Sequence, residues 1–151
     1  MELSEFELDF CIDFTNKLMK HPLAYLFLSP VDPIRDGVPD YFSKITKPMD
    51  LGTVLDNLEN GKYKNSEDWK SDVLQIWKNA QIYNSKNPFI YEMASILNRK
   101  CLKHFKQIPK TKFDIWKNQV SKLNNQILGL ISLLPNQKNL ISIDTSNKLS
   151  S

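Results

Sequence analysis

Glycine is scarce in this 151-residue chain, which contains four glycines against eight prolines. Tight hairpin turns usually need glycine at positions of positive φ, so few can form and helices are favoured. The length fits one domain plus a short appendage, and it is enough to bury a sizeable core. A hydrophobic content of 41% with 25% charged residues is typical of a globular chain.

Cysteine and histidine are also rare, with two of each. Cys11 and Cys101 lie among apolar neighbours in predicted helices, which favours buried free thiols over a disulfide and suits a reducing compartment. His21 and His104 have no nucleophile or metal partner nearby, so we expect both at the surface and no zinc site.

Several other features are missing from the sequence. No apolar run approaches the ~20 residues of a membrane span, and no signal-peptide core opens the chain, so we expect an intracellular protein. No phosphate loop, metal cluster or nucleophile–base arrangement is present, so we expect no enzyme and no cofactor. The net charge of +3 is too small by itself to indicate nucleic acid binding.

Four helices are predicted in the first two thirds of the chain. Ser4 and Glu7 fit a capping box, and an apolar residue then recurs at every fourth position from Phe6 to Leu18, which predicts a first helix over about 4–20. Asp50 caps a second helix that stops at Asn60–Gly61, and Ser66 caps a third. Asn87–Pro88 opens a fourth that ends by Pro109.

The segment 22–48 between the first two helices has a different character. It carries five of the eight prolines, interleaved with aromatic and aliphatic residues. A long loop without periodicity is uncommon in a compact domain and is usually functional. Its apolar content indicates that it packs down, and its prolines lower the entropic cost of ordering it, so it could form one wall of a pocket.

Asn84 stands where the third helix ends and a short break begins. Its carboxamide has two N–H donors, one carbonyl acceptor and no charge, so it suits a neutral polar ligand such as an amide. Taken alone, an asparagine here is more often a helix C-cap, Tyr41 a packed loop aromatic and Ile90 a core residue.

Several motifs in this order and spacing resemble a bromodomain over about residues 4–108. They are Phe27-Leu28-Ser29-Pro30-Val31-Asp32, Pro39-Asp40-Tyr41-Phe42, Lys47-Pro48-Met49-Asp50-Leu51, Ile82-Tyr83-Asn84 and Met93-Ala94. The resemblance implies an all-α fold, a left-handed four-helix bundle. Its long first loop and the short loop between its last two helices form an acetyl-lysine pocket.

The resemblance also implies roles for individual residues. Asn84 would donate a hydrogen bond to the acetyl carbonyl, and Tyr41 would reach the same oxygen through a water. Ile90 would be the gatekeeper and Tyr83 a pocket-side aromatic. The loop wall would comprise Phe27, Pro30, Val31 and Val38, with Phe27 under the acetyl methyl.

Two positions depart from the family pattern and put peptide preference in question. Tyr25–Leu26 stands where Trp–Pro is frequent, which suggests a narrower or more polar shelf. Asp36–Gly37 replaces an aliphatic residue, which should loosen the loop and add negative charge at the rim.

The C-terminal third contains a heptad-like pattern stopped by Pro135. Its seven apolar residues alternate spacings of three and four: Phe113, Trp116, Val120, Leu123, Ile127, Leu130 and Leu134. This stripe either folds back onto the bundle or pairs with a helix of another molecule. We therefore predict a bromodomain at 1–108, an amphipathic helix at 109–135 and a flexible tail at 136–151.

A basic run, interrupted only by Asp114, extends from Arg99 to Lys122: Arg99, Lys100, Lys103, Lys106, Lys110, Lys112, Lys117 and Lys122. It is either a solvated face or a contact surface for nucleosomal DNA phosphates.

The leading hypothesis is a nuclear, non-enzymatic reader of acetylated histone tails that acts in transcription regulation. The alternative is a helical interaction subunit that acts mainly through the 113–134 stripe.

Overall fold

A computed structural model describes residues 3–134, and every regular element in that range is helical. The elements are α1 (Glu5–Met19), a 3-10 helix (Pro22–Phe27), α2 (Tyr41–Lys44), α3 (Leu51–Glu59), α4 (Ser66–Tyr83), α5 (Pro88–Phe105) and α6 (Lys112–Ile131). The predicted all-α class is confirmed. The predicted tail 136–151 lies outside the described residues. The chain divides into two units, with the boundary between Lys112 and Phe113.

In the first unit, α1, α3, α4 and α5 form a bundle in which α4 packs along α5 and α1 packs against α3. The apolar faces predicted from helical periodicity meet in its core, where Leu18, Leu51, Val73 and Leu97 are fully buried. Burial of one such side chain contributes roughly 1.5–3 kcal/mol, so these four helices hold the rest of the unit in place.

The two tryptophans of α4 fix its position between α1 and α5. Trp69 Nε1 donates to Thr15 Oγ1 at 3.2 Å, and Trp77 Nε1 donates to Cys101 Sγ at 3.3 Å. Both indole rings are fully buried, so these bonds satisfy polar atoms that water cannot reach. Cys11 and Cys101 are buried free thiols, as predicted, and burial raises the pKa of each to about 12.

The helix starts follow the predicted capping with one exception. Ser4 and Glu7 form the expected capping box on α1, and Asp50 caps α3. The predicted cap of α4 was wrong by one residue, because Asn65 accepts from the backbone N–H of Asp68 at 2.9 Å. Ser66 is instead buried, and its hydroxyl donates to Glu7 Oε1 at 3.1 Å, which ties the start of α4 to α1.

The two histidines that were predicted at the surface, His21 and His104, are both half-buried. The ring of His104 stacks on Phe14 with centroids 4.6 Å apart, and its Nδ1 lies 3.3 Å from the carbonyl oxygen of Lys100. The side chain is half-buried because α1 and α5 approach each other at this point, a contact that sequence spacing does not reveal.

The loop between α1 and α3 packs against the bundle, as its apolar content predicted. It is more regular than expected, since it begins with the 3-10 helix and contains α2. Two bonds hold its ends: Gly52 N donates to the carbonyl oxygen of Leu28 at 3.1 Å, and Asn79 Nδ2 donates to that of Lys47 at 2.8 Å. The loop is therefore attached to the bundle at both α3 and α4.

In the second unit, α6 ends at Ile131, although the apolar pattern continues to Leu134. The backbone N–H groups of Leu133 and Leu134 bond to Leu130 and Ile131 in a tighter turn. Leu134 precedes Pro135, and a residue before proline avoids the α region. All seven stripe residues are exposed, between 43% for Val120 and 67% for Leu130. None of the helices within 3–134 combines the length and hydrophobicity that a membrane span requires.

Candidate functional site

A cavity of about 180 Å³ opens at one end of the bundle, between the loop and the junction of α4 with α5. One water needs about 10–15 Å³ on the same measure, so the cavity can hold a small organic group together with water. Its lining comprises Leu26, Phe27, Ser29, Val31, Asp36, Val38, Tyr41, Met49, Asp50, Ile76, Ala80, Tyr83, Asn84 and Ile90.

Asn84 is half-buried at this cavity and is also the C-cap of α4. Its Nδ2 donates to the carbonyl oxygen of Ala80 at 3.0 Å, which fixes the plane of the carboxamide. That bond uses one of its two N–H donors, so the second donor and the carbonyl oxygen stay free for a ligand. The structure thus gives Asn84 both a helix-capping role and a place in the cavity.

Tyr41 lies at the first position of α2 and is only 6% exposed. Its hydroxyl makes no hydrogen bond to the described residues, yet none of their buried side-chain polar atoms is without a partner. The hydroxyl is therefore accessible to water, and the cavity that Tyr41 lines is the open space beside it. Burial, followed by the nearby charge of Asp50, raises the pKa of Tyr41, so the hydroxyl keeps its proton at neutral pH.

Phe27 forms a rigid part of the apolar wall. Its ring meets Trp77 edge-on, with centroids 5.2 Å apart at 90°. Trp77 is fully buried, so it fixes Phe27 against the bundle while Phe27 lines the cavity.

Of the eight site residues predicted from the sequence, seven line this cavity. They are Asn84, Tyr41, Phe27, Val31, Val38, Ile90 and Tyr83. Pro30 does not line it but borders a separate groove formed by loop residues 29–35, and its carbonyl oxygen accepts from Arg35 Nη2 at 3.2 Å.

The rim of the cavity carries a small polar cluster around Tyr83. Tyr83 Oη donates to Asp40 Oδ1 at 2.6 Å, and Lys44 pairs with the other oxygen of Asp40 at 2.6 Å. The Tyr83 ring also lies 5.1 Å from that of Tyr41, centroid to centroid. The bond to Asp40 raises the pKa of Tyr83 to about 12, while Lys44 and Tyr83 lower the pKa of Asp40.

Two carboxylates that were not among the predicted site residues also line the cavity. Asp50 is 4% exposed and accepts from Thr53 N at 2.9 Å and from Thr53 Oγ1 at 2.6 Å. Asp36 accepts from the Arg35 guanidinium at 2.7 and 2.9 Å and from the backbone N–H of Asp32. The bond from Arg35 lowers the pKa of Asp36. Both groups therefore already have partners within the protein.

Leu26, which the sequence placed at the shelf before Phe27, also lines the cavity. The lining residues missed from the sequence are Ser29, Met49, Ile76 and Ala80. Two of them, Ile76 and Ala80, could have been predicted from helical periodicity. Ile76, Ala80 and Tyr83 are spaced by four and three residues, so they share the face of α4 that leads to Asn84.

The family model for bromodomains matches residues 11–96. The chain is 40% identical over 112 residues to transcription factor GTE2 from Arabidopsis thaliana, an alignment that covers 74% of this chain and 17% of that protein. It is also 35% identical over 111 residues to an ankyrin repeat, bromo and BTB domain-containing protein from Dictyostelium discoideum, covering 73% and 14%. The chain thus spans less than a fifth of the length of these relatives.

Solved structures similar to this chain are also bromodomains. The second bromodomain of Candida albicans Bdf1, in its unbound form, is similar with a TM-score of 0.63 and 30% identity, covering 68% of this chain and 98% of that one. The same domain bound to an imidazopyridine is similar with a TM-score of 0.64 and 31% identity. Fold, motifs and family match agree: the chain belongs to the bromodomain family.

Proposed function

We propose that this chain binds acetylated lysine in the cavity lined by Asn84. The main support for this proposal is the half-buried, uncharged carboxamide of Asn84, which has a free N–H donor and lies at a cavity lined mostly by apolar residues. Acetylation removes the charge of lysine and adds an amide carbonyl, which is the acceptor that this donor lacks.

Selectivity would come largely from the penalty on the unmodified side chain. An ammonium that enters the cavity loses hydration. Of the two carboxylates there, Asp36 is already paired with Arg35, and Asp50 is buried and accepts from Thr53 N and Oγ1. The neutral amide loses less, and Asn84 restores its carbonyl hydrogen bond. Such a bond is worth about 1 kcal/mol net, whereas leaving its partners unpaired costs about 1–3 kcal/mol.

The other lining residues would divide the remaining tasks. The water-accessible hydroxyl of Tyr41 suits a bridging water to the acetyl carbonyl, and Phe27 suits contact with the acetyl methyl. Val31, Val38 and Ile90 would contact the aliphatic stem, with Ile90 as the gatekeeper. Tyr83 would form the rim. Pro30, which does not line the cavity, would support the loop that carries the wall residues. With so little buried area we expect micromolar affinity, roughly −8 kcal/mol or weaker.

Peptide titrations with a matched pair of variants test this proposal. Asn84→Ala removes a C-cap and a cavity donor together. Asn60→Ala removes the equivalent C-cap of α3, where Asn60 Nδ2 donates to the carbonyl oxygen of Asp56 at 2.7 Å, outside the cavity. Asn84→Ala should weaken binding of an acetylated peptide by about 5- to 150-fold, and Asn60→Ala should not change it. Equal binding of acetylated and unmodified peptides by the parent chain would refute the proposal.

The biological setting that we propose is a nuclear, non-enzymatic reader of acetylated histone tails in transcription regulation. The support is family membership together with relatives named as transcription factors. Within residues 3–134 no cluster of three or more His, Cys, Asp or Glu side chains is arranged to hold a metal ion. A panel of acetylated histone peptides measured against acetylated non-histone peptides would test the histone assignment.

A second proposed contact is between the basic run and DNA phosphates. Lys103 and Lys106, at the end of α5, are both exposed, whereas Arg99 is already paired with Glu92 at 2.9 Å. Release of counterions would make DNA affinity fall steeply with salt, and a double change of Lys103 and Lys106 to Glu should reduce that slope. An affinity independent of salt would exclude the phosphate contact.

The alternative function is a helical interaction subunit that acts through α6. The observation in its favour is the exposure of the whole apolar stripe, because large exposed apolar patches commonly mark interaction sites. A chain that binds acetylated and unmodified peptides equally, yet requires the stripe to bind its partner, would favour this alternative.

A further inference from the structure

The apolar stripe of α6 has the residue pattern of one strand of a coiled coil. Numbered as heptads, Phe113, Val120 and Ile127 occupy a positions, and Trp116, Leu123 and Leu130 occupy d positions. These six residues lie within the helix, and each is at least 43% exposed. In proteins most of the stability of a helix comes from packing of its amphipathic face, so an exposed seam of this kind indicates a partner helix.

We propose that α6 pairs with α6 of a second copy of this chain in a parallel, two-stranded coiled coil. The residues at the centre of the seam favour this parallel, two-stranded arrangement. Val120 and Ile127 are β-branched residues at a, and Leu123 and Leu130 are leucines at d. This combination favours two parallel strands over three or four, because it matches the side-chain geometry of the parallel dimer at each layer.

The residues that flank the centre of the seam place little restriction on an identical partner. The central e and g positions are Gln119, Asn124 and Gln126, all uncharged, so nothing there repels a second copy or selects a helix of opposite charge. Ile131, at the next e position, broadens the apolar seam. A heterologous acidic helix would gain only from the lysines at the beginning of α6.

Those lysines also provide a test of orientation. In a parallel pair, Lys112 at g lies opposite Lys117 at e of the partner helix, so like charges meet twice by symmetry. In an antiparallel pair, Lys117 faces the other end of the helix, where Asn124 and Ile131 are uncharged. Replacing Lys117 by Glu converts the repulsion into two attractive pairs only in the parallel arrangement.

Pairing would have a consequence for binding, and this part rests on the proposed function. A dimer carries two cavities, so a ligand with two acetyl-lysines could occupy both. Its avidity could exceed the single-site affinity by about 10²- to 10⁴-fold if the spacing permits simultaneous contact.

Sedimentation equilibrium of the full 151-residue chain over a range of concentrations tests the pairing. Leu123→Lys places a charge in the seam and should weaken dimerisation more than about tenfold. Asn125→Lys introduces the same residue at the outer f position and should leave the dimer unchanged. Lys117→Glu should tighten the dimer several-fold. Added salt should weaken the Lys117→Glu dimer, whose new pairs are attractive, but should not weaken the parent dimer, where salt screens the repulsion between Lys112 and Lys117.

The outcomes separate the alternatives. A monomeric parent chain at all concentrations, or a trimer or tetramer, overturns the proposal. A dimer unaffected by Leu123→Lys uses another surface, and one unaffected by Lys117→Glu is not parallel, so either result also refutes it. Asn84→Ala serves as the functional control: it should dimerise like the parent while losing peptide binding, so failure of the pairing and failure of the ligand assignment are distinguishable.

Discussion

Gly52 provides a stability prediction whose sign is opposite to helix propensity. It lies in the first turn of α3, where replacement of glycine by alanine normally favours the helix by roughly 0.5–1 kcal/mol. A Cβ at this position would lie 2.7 Å from the carbonyl oxygen of Leu28 and 3.2 Å from Asp50 Oδ1. The first contact is with backbone, so it cannot be relieved by rotation of a side chain.

We therefore expect Gly52→Ala to destabilise the bundle. Relief of the overlap costs about 1–3 kcal/mol, and displacement of Leu28 also weakens the 3.1 Å bond that its carbonyl accepts from Gly52 N. After subtraction of the propensity gain, the overlap alone leaves a net loss of about 0–2.5 kcal/mol, and weakening of a bond worth about 1 kcal/mol adds to that loss. For a domain of this size each kcal/mol lowers the melting temperature by roughly 4 °C or more.

The same change should weaken acetyl-lysine binding. Leu28 directly follows Phe27, and Phe27 and Asp50 both line the cavity, so separating Leu28 from Gly52 displaces two parts of its wall. Urea unfolding measures the change in stability. Peptide titration under conditions well below the unfolding transition, where the variant is folded, measures the change in affinity.

Gly129→Ala is the matched control for Gly52→Ala. Gly129 lies in α6, and a Cβ there would meet nothing within 4 Å. Alanine should therefore increase the helix content of α6 without any loss of stability. A Gly52→Ala protein as stable as the parent, or more stable, would refute the steric reasoning.

Two further predictions concern titrating groups. Tyr83→Phe removes the bond to Asp40, so the pKa of Asp40 should rise while Lys44 still holds it below its ordinary value; an unchanged pKa by NMR titration would show that the bond is absent in solution. Burial, opposed by the contact with the Lys100 carbonyl, lowers the pKa of His104 below 6.5, so the unfolded state takes up a proton first as the pH falls. Above about pH 6.5, His104 should therefore not affect the free energy of unfolding, and below that pH its protonation in the unfolded state should lower the free energy of unfolding. His104→Phe should reduce this dependence while keeping the stack on Phe14, and an identical pH profile would contradict the assignment.

The helices were predictable because their signals are local. Capping at Ser4, Asp50 and Asn87 and the apolar faces of four helices depend on spacings of three and four residues, and the structure reproduces them. Asn84 could be placed at a helix end for the same reason. The error at Ser66 concerns a single residue, because Asn65 and Ser66 are both competent caps and a distant contact with Glu7 decides between them.

The cavity was less predictable because its lining comes from five separate parts of the chain. The resemblance to a known family supplied seven of its residues and placed the charge of Asp36 at the rim, but it did not indicate that Asp50 also lines it. Asp50 was identified only as a helix cap, and its second role depends on how the loop folds over α3. The stack of His104 on Phe14 likewise joins residues ninety positions apart, beyond the reach of periodicity.

The most direct test of the central claim observes the Asn84 carboxamide itself. Its side-chain NH₂ signals in a nitrogen–proton correlation spectrum can be assigned by their absence from Asn84→Ala, with the Asn60 side chain as an internal reference. An acetyl-lysine peptide should shift the Asn84 signals in a saturable manner, and the unmodified peptide should not. Saturable binding of the acetylated peptide with the Asn84 signals unmoved would contradict the account.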